Sequence, residues 1–207
     1  MSSTEDAGRR IGVHYEGDLR SALVAAAVAA LEQAGAEELS LRALARSAGV
    51  SHAAPAHHFG DKTGLLTAVA TEGFGLFAQH LAQSLAFAPE EPLKQLAQLG
   101  CAYAEFAELH PGHFAVMFRP GLTDTTDAAY VAASDAAFQA LERHVALCQG
   151  AGWRTAADTR TLASAAWALA HGITVLRSQG ALARHFPDRS LDGVAALAST
   201  LIGPALD

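Results

Sequence analysis

Apolar residues fall at Leu19, Leu23, Ala26, Ala27, Ala30 and Leu31, the three-and-four spacing of one helical face, before Gly35 interrupts the run. The pattern predicts an amphipathic first helix over 18 to 34, with Asp18 placed to cap it. A shorter stripe of Leu41, Leu44, Ala45 and Ala48 follows Ser40, a candidate capping hydroxyl, and ends at Gly49. After the Gly49-Val50 turn, Ser51 is placed to cap a third short helix reaching about His58. Pro55 lies early in that helix, where amide hydrogens lack intrahelical acceptors in any case. Asp61 then caps a long fourth helix over 62 to 85, which Pro89 and Pro92 terminate. Further helices are predicted over 92–109, 112–118, 126–149, 157–179 and 191–201, separated by Gly150-Ala-Gly152, Gly180 and Pro187. Residues 1–17 are polar, mixed in charge and interrupted by glycines, and read as a flexible arm whose basic spot is Arg9-Arg10.

Composition strengthens the helical reading. Alanine accounts for 48 of 207 residues; it is the best helix former and is depleted in strands, so most all-β folds are excluded. The fold class is all-α with about nine helices: an arm over 1–17, a three-helix helix-turn-helix domain over 18–65, and a larger helical domain over 66–207. The longest apolar run near the N-terminus, 23 to 31, falls far short of the ~20 residues a bilayer span needs. The first residues are polar and acidic with no apolar core of a leader, so a cytoplasmic address is expected. Cys101 and Cys148 lie far apart, in no metal-ligand spacing, and read as reduced, buried small side chains, with a redox switch as the less favoured reading.

The segment over 40–59 sets two short helices around the Gly49 turn, with Leu41, Leu44, Ala45, Val50 and Ala54 available for a shared core. Such a helical hairpin can place its second helix in a DNA major groove. In context the match is fuller. Gly17-Asp-Leu-Arg-Ser-Ala-Leu through Ala34-Gly35, then Leu39-Ser-Leu-Arg-Ala-Leu-Ala-Arg-Ser-Ala-Gly-Val-Ser51, then His57-His-Phe-Gly-Asp-Lys62 and Leu65-Leu66, resembles the N-terminal domain of TetR-family transcriptional regulators. His110-Pro-Gly-His-Phe-Ala-Val-Met-Phe118 and Trp167-Ala-Leu-Ala-His-Gly172 resemble the C-terminal domain of the subgroup with a Trp-His-Gly signature. The resemblance implies an all-helical homodimer, a repressor that binds a palindromic DNA operator and releases it when a small molecule enters the C-terminal domain.

The residue chemistry bears on this directly. Arg42 and Arg46, four apart, share a helix face suited to phosphate oxygens, although a solvated surface pair is the common fate of such spacing. Ser40 and Ser51 add hydroxyls. Lys62 and His57 match phosphate-contact positions of the family. Base reading is expected from His52, Ala53 and Ala54, since alanine can touch a thymine methyl and imidazole a base edge; His58 completes the DNA-facing set. Alanine at 56 and proline at 55 depart from the family's commoner tyrosine and leucine. The charge balance is also unusual for a DNA reader: the chain carries a net −7, and residues 1–65 hold six Arg and Lys against eight Asp and Glu. Any attraction to DNA must therefore be local. His52, His57 and His58 do not read as a metal site, because adjacent histidines point to different helix faces and no thiol or carboxylate completes a set.

In the C-terminal region, Phe106, Phe114, Met117, Phe118, Trp167 and His171 are candidate pocket residues for an apolar or aromatic effector, with plain core packing as the competing reading. His110 and His113 suit a capping or pocket role. Leu162, Ala166, Leu169, Ile173 and Leu176, with Leu197 and Leu201, are candidates for an isologous dimer interface. No GxSxG, HExxH, GxGxxG or P-loop spacing occurs, and Ser47 or Ser51 near His52 lacks a credible orienting acid, so neither an enzyme nor a cofactor is expected. The alternative to the repressor is a helical small-molecule-binding dimer with weak or lost operator binding.

Overall fold

The computed structural model describes residues 3–184, with side-chain surroundings from Leu19 to Leu182. Among the described residues there are eight α-helices, one short 3-10 helix and no strand: α1 Ser3–Glu38, α2 Leu41–Ser47, α3 Ala54–Phe59, α4 Lys62–Leu85, α5 Pro92–Leu109, α6 Pro111–Met117, α7 Ala128–Gly150, α8 Thr159–Ser178 and the 3-10 helix Ala181–Arg184. The all-helical reading holds. The helix expected over 191–201, with Leu197 and Leu201, lies outside the described residues.

Two local expectations need correction. Residues 3–17, read as an arm, are helical and continuous with α1, so Asp18 starts nothing. Each interior glycine weakens a helix by only about 1 kcal/mol without forbidding it. Gly35 does break the helical run, at φ 76 and ψ 176. The serine caps also differ. Ser40 has the extended backbone of an N-cap but makes no side-chain cap bond, and α3 has Ala53, not Ser51, as its N-cap; the Ser51 carbonyl accepts the Ala54 N–H at 3.0 Å. The Asp61 cap is as expected, its Oδ1 accepting the Gly64 N–H at 2.9 Å.

The chain divides into two compact units. The first comprises residues up to Gly73 together with Gly112–Val131; the second comprises Phe74–Pro111 and residues from Ala132 onward. This division differs from a cut after residue 65, and the burial pattern gives the reason. Leu65, Leu66, Val69 and Ala70 of α4 are buried, as are Leu23, Val24, Ala27 and Leu31 of α1, so apolar positions beyond residue 65 belong to the core of the first unit. Each such Leu or Val side chain contributes roughly 1.5–3 kcal/mol on full burial. α6 joins this unit at two glycines. A Cβ on Gly112 would lie 2.7 Å from the Val28 carbonyl oxygen, and one on Gly73 would lie 2.8 Å from Met117 Sδ.

In the second unit α5 packs on α8. One buried cluster joins Leu96, Val145, Cys148, Trp153 and Ala163, with Leu162 and Phe138 against it; another joins Ala104 and Ile173, flanked by Leu169 and Leu182. Both cysteines are buried and unbonded to each other, and burial pushes the Cys148 thiol up, away from the reactive thiolate. No helix among the described residues is long and apolar enough to cross a membrane.

Candidate functional site

The turn between α2 and α3 is built by glycine. Gly49 takes φ +68, a region that only glycine enters without cost. Its N–H bonds to the Arg46 carbonyl at 3.2 Å, and the Val50 N–H bonds to that of Ala45 at 3.0 Å. This double closure satisfies the last carbonyls of α2 and sets the direction of α3. Leu44 and Ala45 on α2 and Pro55 on α3 are buried beneath the turn.

The opposite side of this hairpin is open. Ser40, Arg42, Arg46, Ser51, His52, Ala53 and His57 are exposed, and Ala54, His58 and Lys62 are half-buried. All ten sequence-selected residues thus reach the surface, in one compact unit. Among the described residues neither Arg42 nor Arg46 finds a carboxylate partner. Lys62 differs: its Nζ donates to the Glu37 carbonyl at 3.1 Å, tying the start of α4 to the end of α1. The His57 and His58 rings meet edge to face at 5.4 Å, and Arg20 lies over Phe59 at 5.2 Å. The result is a small face carrying two guanidinium groups free of carboxylates among the described residues, and three imidazoles, able to bond phosphate oxygens and base edges.

The six candidate pocket residues are divided between the two units. Phe114, Met117 and Phe118 belong to the first unit, where Met117 is fully buried and the Phe114 and Phe118 rings meet at 5.4 Å. His113 is there too, its Nε2 3.1 Å from Glu72 Oε1. Phe106, Trp167 and His171 belong to the second unit, where Trp167 and His171 are linked by a residue outside the six candidates, Tyr103. Its hydroxyl lies 2.7 Å from His171 Nδ1, and the Trp167 indole N–H donates to its oxygen. Burial pushes the Tyr103 phenol up and pulls the His171 imidazole down. Both are then neutral near pH 7, with one hydrogen bond shared between the phenol and Nδ1. Phe77 packs edge-on against both Tyr103 and Phe106, at 5.1 Å each. The signal that would have found Tyr103 is its spacing from Phe106 on one face of α5, together with the need of a buried hydroxyl for a partner.

The dimer candidates separate as well. Ile173 is buried beside Ala104, with Leu169 packed on it, and Leu162 packs on the Trp153 cluster, so these three serve the protomer's own core. Ala166 is half-buried, and Leu176 is 44% exposed. Trp167, selected for a pocket, is 40% exposed, its ring against Phe138 at 6.0 Å.

Comparison with known proteins matches both halves of the chain. Residues 23–69 match the family model described as bacterial regulatory proteins, tetR family, and residues 96–201 match that of the tetracyclin repressor-like C-terminal domain. A stretch of 69 residues is 41% identical to the HTH-type transcriptional regulator BetI of Ectopseudomonas mendocina (strain ymp), covering 33% of this chain and 31% of that protein, so the match spans less than a third of the relative's length. Among solved structures, a protein with unknown function from Rhodococcus sp. RHA1 is 35% identical at a TM-score of 0.77, over 89% of this chain and 93% of that one. The fatty acid degradation regulator FadR from Bacillus halodurans shares the fold at 15% identity, with a TM-score of 0.70 over 90% of this chain and 96% of its own. The TetR family transcriptional regulator PfmR from Thermus thermophilus does so at 20%, with a TM-score of 0.66 over 89% and 99%.

Proposed function

The chain belongs to the TetR family of bacterial regulatory proteins, and from that membership we propose that it is a ligand-responsive transcriptional repressor that binds a palindromic DNA operator as a homodimer. The observation that carries the proposal is the exposed face of α2 and α3: Arg42 and Arg46, without carboxylate partners among the described residues, beside exposed His52, Ala53 and His57. The guanidinium groups and His57 hold backbone phosphates and fix register, while His52, Ala53 and Ala54 meet base edges. Ser40, Ser51, His58 and Lys62 border this contact, Lys62 after giving up its bond to the Glu37 carbonyl.

The effector is a small apolar or aromatic molecule. Phe106, Trp167 and His171, together with Tyr103 and Phe77, are the residues that recognise it; the hydrogen-bonded Trp167, Tyr103 and His171, with Phe77 edge-on to Tyr103 and Phe106, support this reading. The Trp167-to-Gly172 segment supports membership of the Trp-His-Gly subgroup. Effector binding acts by population shift, favouring a state in which the two reading heads lose the spacing DNA requires. Dimerisation falls to Ala166 and Leu176 on α8 and to Leu197 and Leu201 beyond it. The protein acts in the cytoplasm without a cofactor and without catalytic activity.

The test is a gel shift with footprinting on DNA from around the protein's own gene, using the full chain and its Arg42→Ala and His57→Ala variants. A palindromic footprint that the variants lose supports the repressor. No footprint at low salt without effector favours the second reading, a small-molecule-binding dimer that has lost its operator. The net charge of −7 and the engaged Lys62 are the observations on that side.

A further inference from the structure

The reading head carries an unusual ratio of imidazoles to fixed cations. Over residues 18–65 there are four Arg and Lys, five Asp and Glu, and three histidines: His52, His57 and His58. All three stand on the exposed side of the hairpin or at its margin, and among the described residues none pairs with a carboxylate. The charged groups on the surrounding elements are few. α2 contributes Arg42 and Arg46. α1 contributes Arg20, which lies over the Phe59 ring, and Glu37 and Glu38. Asp61 and Lys62 follow α3; the Asp61 carboxylate accepts the Gly64 N–H, and Lys62 bonds the Glu37 carbonyl. Arg119 lies 3.8 Å from the Glu37 carboxylate. Fixed charge thus leaves this segment at a net −1, and protonation of the three imidazoles would turn it to +2.

Histidine is the side chain whose charge changes between pH 5 and 8, and a polyanion beside it favours the charged form. A duplex approaching this face therefore meets the guanidinium groups of Arg42 and Arg46 and three exposed or half-buried imidazoles. We infer that His52, His57 and His58 form a proton-gated DNA-binding face, His57 and His58 serving the backbone and His52 a base edge, so that the protein takes up protons when it binds duplex DNA and its grip is set by pH. The inference rests on the DNA-binding reading above and adds to it the source of the missing positive charge. Each proton taken up on binding makes log K fall by up to one unit for each unit rise in pH, and each imidazolium on a phosphate adds about 0.9 to the salt slope.

The experiment uses the full chain and a fluorescein-labelled duplex selected by the protein from a random-sequence pool, with selections at pH 6.2 and pH 8.0. Binding is read by fluorescence anisotropy across that range at fixed ionic strength. We expect affinity to rise about tenfold or more from pH 8.0 to 6.2 and the salt slope to steepen with it. The exposed-site double variant His52→Gln with His57→Gln should flatten both dependences. The counterpart His52→Arg with His57→Arg should hold the low-pH affinity at pH 8.0, and circular dichroism would establish that both variants fold. Affinity that varies less than threefold across the range, or a Gln variant that keeps the pH dependence, overturns the inference while leaving DNA binding intact. Recovery of no duplex at either pH overturns the DNA-binding reading and this inference with it.

Discussion

Replacing Gly73 with alanine should destabilise the protein, although alanine is the better helix former. The residue lies inside α4, where the propensity difference alone favours alanine by about 1 kcal/mol. Against this stands the approach of α6. The added methyl would sit 2.8 Å from Met117 Sδ and 3.0 Å from both Met117 Cγ and His113 Cβ. Neither neighbour gives way easily. Met117 is fully buried and its carbonyl accepts the Tyr130 hydroxyl at 3.0 Å, while the His113 imidazole rests on Glu72. Overpacking of this kind costs about 1–3 kcal/mol, so the net effect is a loss of up to about 2 kcal/mol. Gly75 supplies a control in the same helix, since its Cβ would meet nothing within 4 Å. Gly75→Ala should stabilise by about 0.5–1 kcal/mol. Comparing the two variants cancels the propensity term and isolates about 1–3 kcal/mol, or roughly 2–12 °C in Tm for a chain of this size. Urea unfolding followed by circular dichroism, with thermal scans beside it, measures the difference. Met117→Ala should cost less in the Gly73→Ala background than alone, because the new methyl occupies part of the space vacated. If Gly73→Ala is as stable as Gly75→Ala, the close docking of α6 on α4 is refuted.

Two further outcomes follow from the second unit. Phe106 is fully buried, edge-on to Phe77 at 5.1 Å and against the His110 ring at 4.7 Å, so Phe106→Ala should cost about 3–5 kcal/mol in urea unfolding; a loss below about 1 kcal/mol would contradict that packing. Burial holds the His144 imidazole below its ordinary value, with the Pro92 carbonyl at 3.3 Å working the other way, and burial lowers His171 as well. The unfolded chain then takes up protons that the folded chain resists, so stability is full above the unfolded histidine value of about 6.5 and is lost as pH falls below it. Urea midpoints should drop from pH 7.5 to 5.5, and His144→Gln should shrink the drop; an unchanged midpoint in the parent protein would contradict the assignment.

Much of this protein was legible in the chain itself. Helix periodicity and alanine content determine an all-helical fold, because a 3.6-residue stripe can be buried only as a helix. Gly49 announces the turn between α2 and α3, since a left-handed residue must follow a helix closed in that way. The exposed face of α2 followed from the same register: once Leu44 and Ala45 point inward, Arg42 and Arg46 must point out. Tertiary structure decided the rest. Which unit owns α6 depends on Gly73 and Gly112, whose meaning lies in residues they approach, not in their neighbours along the chain. Phe106 and Trp167 lie in one unit and Phe114 and Met117 in the other, because bulky apolar side chains are alike in sequence wherever they pack. Ile173 faces its own core and Leu176 faces out, though both fit one stripe of α8. Tyr103 acquired its place only when α5 met α8 and brought a hydroxyl to an imidazole. Local pattern is written in the spacing of residues along one helix; the partner across the gap is chosen by packing between helices, and no single helix carries that information.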